Sequence, residues 1–335
     1  MPSSSRGRRA RVLVAVLSAS AMSSRARAQQ QPQQPQGFAV ERFYSSAPGG
    51  GWFVMDDLTM RGDLGGAMAL TAGYARNPLR VTDGSSNLAV VSDQAFTDFG
   101  FAVARDRWRL YLNIDMPIVI KGHGGTVGDY RLTAPSVALG SNPDTLSDAR
   151  IGADVRVLGD AASPFRLGAG AQLIVPNGNP SHVDYDTDGT YRAMARVLFA
   201  GDMGMLTYAG HVGVHVRPLD DSPAPGSPEG SELLFGVAAG PRLALDASNV
   251  AVVGPEVYGE TAFRSFLSSG SAGLEALLTA RVEGTRDDGP QLRVKVGAGG
   301  GISPHFGAPE WRAVVGLEVF DYATHHDNVG NRSAP

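Results

Sequence analysis

The stretch at residues 108–120, WRLYLNIDMPIVI, opens with nine residues in which apolar and polar side chains alternate without a break. Because successive side chains of a β-strand point to opposite faces, the alternation predicts a strand with one apolar and one polar face. In a soluble sandwich the apolar face turns toward a core, whereas in an outer-membrane barrel it faces lipid. One strand cannot separate these two structures. The apolar face holds Trp108, Leu110, Leu112, Ile114 and Met116, and the polar face holds Arg109, Tyr111, Asn113 and Asp115.

Similar runs recur along the chain, and no stretch has the period of a long helix. Each run is about 9 to 13 residues long, the length that a tilted membrane strand requires. Twelve strands are predicted in all. They are 66–75, 94–104, 108–118, 148–158, 165–176, 191–201, 205–217, 231–243, 249–260, 273–284, 291–299 and 310–320.

The connections between these strands fall into a short and a long class that alternate strictly. The short ones are 105–107, 159–164, 202–204, 244–248 and 285–290, and the long ones are 76–93, 119–147, 177–190, 218–230, 261–272 and 300–309. An even number of strands with short turns at one end and long loops at the other is typical of bacterial outer-membrane barrels. A soluble sandwich has no reason to sort its loops in this way. The sequence therefore predicts an all-β fold, a twelve-stranded antiparallel transmembrane β-barrel with short periplasmic turns and long extracellular loops.

The polar faces of such a barrel would line its lumen with charge. Arginines dominate the fourth to seventh predicted strands, and glutamates are frequent on the eighth to tenth. Paired charges could fill and close the lumen, or they could set up a field across an aqueous pore. Twelve strands lie between the filled eight-stranded barrels and the open sixteen-stranded porins, so both remain open. The residues predicted to line the lumen are Arg109, Asp115, Arg150, Asp154, Arg156, Arg166, Arg192, Arg196, His211, His215, Arg217, Glu232, Arg242, Glu256, Glu260, Glu275, Arg281, Glu283, Arg293, Lys295 and Arg312.

The first 28 residues have the pattern of a secretory signal peptide. Four arginines precede the apolar run VLVAVLSASAM, and Ala26 and Ala28 form a small-x-small site before the expected cleavage. Removal of this leader takes six arginines and leaves 23 basic against 33 acidic residues, a net charge of −10. A basic footprint for nucleic acid is therefore not expected.

The remaining chain divides into four further parts. The glutamine- and proline-rich stretch 29–36 is predicted to be a disordered linker. Residues 37–64 precede the first strand and could enter the lumen as a plug or lie at the periplasmic rim. The barrel is predicted over 65–320, and 321–335 as a disordered tail.

Several phrases of the sequence resemble a known family. They are GFAVERFYSS and WFVMDDLTMRG within 37–62, RIGADVRVLGD at 150–160, GPEVYG at 254–259 and FGAPEWRAVVGLEVF at 306–320. Together they resemble the N-terminal β-barrel of large OmpA-type outer-membrane proteins. The resemblance implies a barrel in the outer membrane. In that family, calcium-binding repeats and a peptidoglycan-binding domain usually follow, but only fifteen residues follow Phe320 here, so we do not expect cell-wall anchoring.

One acidic motif is similar to the start of a calcium loop. DYDTDG places Asp184, Asp186 and Asp188 at alternate positions before Gly189. The glutamate that would complete such a loop is replaced by Ala195, and a strand rather than a helix follows. We expect a solvated acidic loop and no cofactor, with loop calcium as the alternative.

The histidines do not predict an active site. His211 and His215 share a face of one strand but lie about 13 Å apart at roughly 3.3 Å per residue, too far to chelate one ion. A lipid-active barrel enzyme needs a histidine–serine pair at the lipid-facing wall. In our assignment, both of these histidines point inward and the others lie in loops or the tail, so no enzyme is expected.

These features predict a monomeric outer-membrane barrel with a structural or interaction role and limited solute passage. Its expected partners are outer-membrane lipid, lipopolysaccharide and the barrel-assembly machinery. The first alternative is a dedicated channel or transporter for small polar or anionic solutes. The second is a lipid-active outer-membrane enzyme.

Overall fold

The computed structural model describes residues 38–62, 64–82, 84, 87–128, 130–138, 146–177, 185–219, 229–268, 270–284, 289–303 and 307–321. Within these residues the regular secondary structure is almost entirely β-strand. The strands are β1 (Gly65–Thr82), β2 (Asn87–Arg105), β3 (Trp108–Lys121), β4 (Gly125–Val127), β5 (Tyr130–Leu132), β6 (Ser136–Ala138), β7 (Ala149–Leu158), β8 (Arg166–Val175), β9 (Arg192–Met203), β10 (Leu206–Val216), β11 (Glu232–Ala244), β12 (Asn249–Ala262), β13 (Ala272–Gly284), β14 (Gln291–Ser303) and β15 (Trp311–Asp321). A single turn of 3₁₀-helix, Phe263–Ser265, follows β12.

Twelve of these strands form a closed wall. Strands β1–β3 and β7–β15 pair in chain order, each antiparallel to its neighbour. Strand β1 also pairs with β15, with Gly66 opposite Asp321 and Arg76 opposite Trp311, so the sheet has no free edge. The predicted twelve-stranded antiparallel barrel is confirmed.

The alternation of side chains assigns the two faces of the wall. On β3, Trp108 is 60% exposed, whereas the neighbouring Arg109 is 1% exposed. The same pattern holds on β15, where Val315 is exposed and Arg312 is fully buried. Because the apolar side chains lie on the outer surface and the charged ones inside, the outer face is suited to lipid. Among the described residues, no helix is long and apolar enough to cross a membrane.

The two ends of the barrel differ as predicted, but the strands are longer at one of them. Short turns join β2 to β3, β7 to β8, β9 to β10, β11 to β12 and β13 to β14 at one end of the barrel, which we name the short-turn end. The opposite end is the long-loop end. The predicted loop 76–93 is mostly strand, because β1 continues to Thr82 and β2 begins at Asn87. Likewise β14 reaches Ser303, and the predicted loop 119–147 contains β4, β5 and β6.

The extra strand length is explained by a small apolar core beyond the wall at the long-loop end. We name this part the cap. The projecting ends of β1 and β2 contribute side chains to it, and β4, β5 and β6 cover them. Its buried members are Phe38, Val40, Leu79, Val81, Val90, Val91, Ile120, Val127, Leu132, Val137 and Tyr185. Removal of this apolar surface from water, rather than membrane thickness, therefore sets the length of the β1–β2 hairpin.

Candidate functional site: the filled lumen

Residues 38–62, which we name the inner segment, run through the lumen from one end to the other. At the long-loop end, the backbone N–H of Val40 donates to the carbonyl of Tyr185 (3.0 Å) in the β8–β9 connection. At the short-turn end, Arg156 near the end of β7 donates to the carbonyls of Leu58 (2.9 Å) and Met60. The chain then enters β1 at the short-turn end.

Side chains of the wall satisfy the irregular backbone of the inner segment. Glu256 on β12 accepts from the N–H groups of Phe53 and Val54, both at 2.9 Å. Lys295 on β14 donates to the carbonyl of Trp52 at 3.0 Å. Backbone polar groups at membrane depth need such partners, since lipid supplies none and the inner segment forms no sheet with the wall.

Apolar side chains of the inner segment fill the space between these polar contacts. Trp52, Phe53, Met55, Leu58 and Met60 are all fully buried and belong to the main core cluster of the barrel. Wall cations lie over the aromatic rings, with the Arg281 guanidinium 5.0 Å from the Trp52 ring and the Lys295 ammonium 5.0 Å from the Phe53 ring.

The fit between wall and inner segment leaves little spare room. A Cβ atom added to Gly100 on β2 would lie 2.5 Å from Cγ of Pro48, inside van der Waals contact with a rigid ring. Position 100 therefore requires glycine, because any larger residue would collide with Pro48 of the inner segment.

Toward the long-loop end, an arginine of the inner segment is surrounded by carboxylates of β11, of β12 and of the segment that precedes β11. The guanidinium of Arg42 lies 3.1 Å from Glu229, 3.3 Å from Glu232 and 3.4 Å from Glu260. Arg217 contacts the first two carboxylates as well, at 2.6 and 2.7 Å. Buried charges are tolerated when they are paired in this way.

Two carboxyls of this cluster, outside the strands, have opposite pKa shifts. Burial alone would raise the pKa of Asp188, but the Arg217 guanidinium and the Ala39 N–H, both 2.8 Å away, hold it well below its usual range. Burial raises the pKa of Glu229 to about 7, against the attraction of Arg217 and Arg42.

Toward the short-turn end, an acid of the inner segment meets wall arginines. Asp56 accepts from Arg109 at 2.7 Å and lies 3.5 Å from Arg196. Asp154 of the wall contacts the same two arginines at 2.6 and 3.6 Å. Asp56 and Asp154 therefore balance the positive charge of this end together.

The predicted lumenal residues lie on the inner face of the wall or at its ends. All of them are buried except two. The Asp115 side chain is 27% exposed, and Arg242 is more exposed near the short-turn end. The arginine-rich strands β7–β10 and the glutamate-rich strands β11–β13 are adjacent in the wall, where β10 pairs with β11.

The inner segment supplies charged residues that the sequence did not assign to the lumen. Arg42 and Asp56 complete the two clusters, and Glu41 lies 2.8 Å from Arg312. Their signal in the sequence is the mixture of aromatic and charged residues within 37–64, which left both a plug and a rim position open. Their partners lie far along the chain, so spacing carries no information about them.

The acidic motif does not form a metal site among the described residues. Asp184 lies outside them. Asp188 uses both carboxylate oxygens on Arg217 and the Ala39 N–H, while Asp186 lies 3.4 Å from the Ser147 hydroxyl. No group of three metal-ligating side chains that could hold an ion occurs in the described part of the chain.

The two histidines on β10 have separate environments. His215 Nδ1 lies 3.1 Å from Glu232 at the long-loop end. His211 is buried beside Arg196, nearer the middle of the lumen. They do not converge on a common ligand.

The closed strand order, the apolar outer face and the charged inner face define a transmembrane β-barrel of the outer-membrane type. No family model matches the chain, and no curated protein matches it in sequence. The resemblance to OmpA-type barrels therefore stays a prediction.

Several solved structures have a similar architecture. An outer-membrane channel from Pseudomonas putida F1 is 12% identical, with a TM-score of 0.49 over 79% of this chain and 97% of that one. The NanC porin is 6% identical, with a TM-score of 0.44 over 75% and 98%. The β-domain of the Bordetella autotransporter BrkA is 14% identical, with a TM-score of 0.41 over 76% and 99%.

Proposed function

We propose that the protein is a monomeric outer-membrane barrel whose resting state is closed by its own inner segment. The observation that carries the proposal is the continuous path of residues 38–62 through the lumen, with Phe53 and Val54 bound to Glu256 at mid-depth. In this assignment the long-loop end is extracellular and the short-turn end is periplasmic, after export by the signal peptide. Lipid and lipopolysaccharide would contact the outer face, and the assembly machinery would insert the barrel.

Limited solute passage would then depend on displacement of the inner segment. The wall around it carries many inward arginine, aspartate and glutamate side chains, together with apolar ones such as Leu198 and Leu277. Without the inner segment, this wall would line a water-filled path rather than an apolar cavity. At the short-turn end, loss of Asp56 would leave Arg109 and Arg196 facing Asp154 alone, which favours small anionic solutes.

A purely structural or interaction role is the second candidate. It is favoured by the cap, because Phe38 and Val40 of the inner segment are buried in its apolar core. An inner segment anchored in this way at one end and by Arg156 at the other would close the barrel permanently.

Planar-bilayer recordings of the whole protein and of a variant lacking residues 38–60 test the proposal. We expect no steady current from the whole protein and a steady, anion-selective current from the variant. The full-length exposed-turn variant Asp246→Asn is the matched control and should stay silent.

Each contrary result has its own meaning. An open, steady current from the whole protein would show that the inner segment does not close the lumen. A silent variant that is nevertheless folded would exclude passage by displacement and favour the structural role.

A further inference from the structure

A notch interrupts the outer surface of the wall near the short-turn end. Gly66 on β1 points outward there, between Val103 on β2 and Asp321 on β15. Among the described residues, a Cβ atom added to Gly66 would meet only the carbonyl oxygen of Ala102, 3.8 Å away. The space outward of this glycine is therefore open, unlike the space beside Gly100. We name it the Gly66 notch.

The Gly66 notch is apolar and is large enough for part of a lipid molecule. Its volume is about 530 Å³, within the range of roughly 300–1,000 Å³ that small-molecule sites occupy. Exposed apolar side chains of three strands surround it, so the apolar surface is continuous with the rest of the outer face. They are Met68, Phe101, Val103 and Leu110.

The Gly66 notch lies at one boundary of the apolar band of the outer surface. At the other boundary, the rings of Tyr74 and Trp311 lie 5.1 Å apart between centroids, and Trp311 pairs with Arg76. The ten residues from Gly66 to Arg76 extend about 33 Å at roughly 3.3 Å per residue. A strand tilt of about 40° reduces this length to about 25 Å, the height of the apolar band of a membrane barrel. The notch therefore faces the lipid leaflet on the short-turn side.

Two outward charges border the notch on the side of the short turns. Asp321 ends β15 and Arg105 ends β2, and neither forms an ion pair with another described residue. Trp108, which pairs with Arg105 in the ladder, is exposed beside it. Tryptophan and charged side chains at one level of a membrane protein are typical of the region of the lipid head groups.

The spacing of these two charges fits a head group that carries both signs. Gly66 pairs with Asp321 and with Val103, and Arg105 lies two residues beyond Val103. With about 4.8 Å between strands and about 3.3 Å per residue, the backbone positions of Arg105 and Asp321 lie roughly 12 Å apart. A guanidinium binds a phosphate, and a carboxylate accepts from an ammonium group. A purely anionic head group would satisfy Arg105 but would face Asp321.

We propose that the Gly66 notch binds a phospholipid of the periplasmic leaflet whose head group carries a primary ammonium, as in phosphatidylethanolamine. One acyl chain would occupy the notch and pack on Met68 and Val103. The phosphate would contact Arg105, and the ammonium would donate to Asp321. The inference rests on the proposed membrane location of the outer face. It does not depend on whether the inner segment closes the lumen.

Quenching of Trp108 fluorescence by brominated lipids in vesicles tests this proposal. The chain has three tryptophans, and Trp52 is buried in the lumen, so in the full-length variant Trp311→Phe the exposed one is Trp108. The vesicles contain phosphatidylethanolamine and phosphatidylglycerol, with each lipid brominated in turn. We expect a preference for the ethanolamine lipid of about two- to fivefold, the range for one exposed ion pair.

Three further variants in the Trp311→Phe protein locate the site. Asp321→Asn should abolish the preference, because the partner of the ammonium is lost. Gly66→Leu should reduce it by filling the notch, and the new side chain fits because the space outward of Gly66 is open. Ala239→Leu, an outward change on β11 five strands away in the wall, is the matched control and should keep the preference.

Three results would overturn the proposal. The first is equal quenching by the two lipids in the Trp311→Phe protein. The second is a preference for phosphatidylglycerol. The third is a preference for phosphatidylethanolamine that survives both Asp321→Asn and Gly66→Leu. Absence of quenching by either lipid would contradict the membrane location itself, so failure of the proposed function is distinguishable from failure of the lipid site.

Discussion

Glu256 connects the wall to the inner segment at the middle of the lumen. Its carboxylate accepts hydrogen bonds from the backbone N–H groups of Phe53 and Val54 and from the hydroxyl of Thr279, at 2.9, 2.9 and 2.7 Å. A carboxylate can accept at both oxygens, whereas an amide offers one acceptor and one donor. The charge of this residue therefore organises two consecutive peptide groups that have no strand partner.

The substitution Glu256→Gln should destabilise the inner segment. One of the two N–H groups would face the NH₂ of glutamine, and the loss of a buried charge-assisted bond costs about 2 kcal/mol. Thermal unfolding in detergent should begin at a lower temperature, and brief openings should appear in single-channel recordings. Glu310→Gln, whose exposed side chain bonds Asn77 and Arg80 at the surface, is the control and should lower the unfolding temperature far less and cause no openings.

The carboxylate of Asp188 should make stability depend on pH. Arg217 and the Ala39 N–H hold its pKa below the usual range, so the folded protein binds this proton less readily than the unfolded chain does. The resulting stability is present above the unfolded pKa of about 3.9 and is lost as the pH falls through the lower folded value.

Thermal unfolding of the parent and of Asp188→Asn from about pH 6 down to about pH 2 checks this prediction, because the range passes through the unfolded pKa toward the lower folded one. The parent should be more stable at the upper limit, and the difference should shrink toward the lower one. The difference between the two proteins is the useful quantity, because the raised pKa of Glu229, which comes mainly from burial and only in small part from Asp188, acts in the opposite direction in both. A constant difference over the whole range would contradict the assignment.

At the scale of single strands, β15 shows the two faces most clearly. Val315 is 55% exposed on the outer surface, while Arg312 and Glu318 are buried on the inner one. Val315 lies near the middle of the strand, where the apolar band of a membrane barrel should be deepest in lipid.

The substitution Val315→Arg should therefore destabilise the barrel by about 2 to 4 kcal/mol in lipid vesicles. Urea titration of the vesicle-embedded protein measures this change. Leu245→Arg, in the exposed turn between β11 and β12, is the matched control and should cost far less, since that turn lies outside the apolar band. Equal small effects at both positions would mean that the outer face meets water.

The strands could be predicted because their signal is local. Alternation over 108–116 fixes the faces of β3, since a strand has a period of two. The length of the β1–β2 hairpin could not be predicted, because it depends on packing of Val81 and Val90 against distant parts of the cap. Strand lengths predicted from membrane thickness alone are therefore too short for β1 and β2.

The path of the inner segment could not be predicted for the same reason. Its contacts join positions far apart in sequence, as Asp56 with Arg109 and Phe53 with Glu256 show. Both clusters use inward charges that the alternation does identify. What the pattern lacks is the choice of partner, which depends on the closed wall and on the course of residues 38–62 within it.

At the scale of the whole molecule, closure should make the barrel resistant to detergent. All twelve wall strands pair on both sides, so unfolding has no free edge at which to begin. The unboiled protein should migrate differently from the boiled protein on a denaturing gel, with a strand-type circular dichroism spectrum before heating. Recovery in the soluble fraction without a mobility shift would contradict a membrane barrel.

The seam between β1 and β15 joins the first and last strands of the wall, and the inner segment is continuous with β1. This connection constrains the order of assembly. Either residues 38–62 are already surrounded when the seam is made, or they thread afterwards through a finished ring whose interior is crowded with side chains. The first order needs no passage through a narrow space. It makes the inner segment a core around which the last strand pairing is completed.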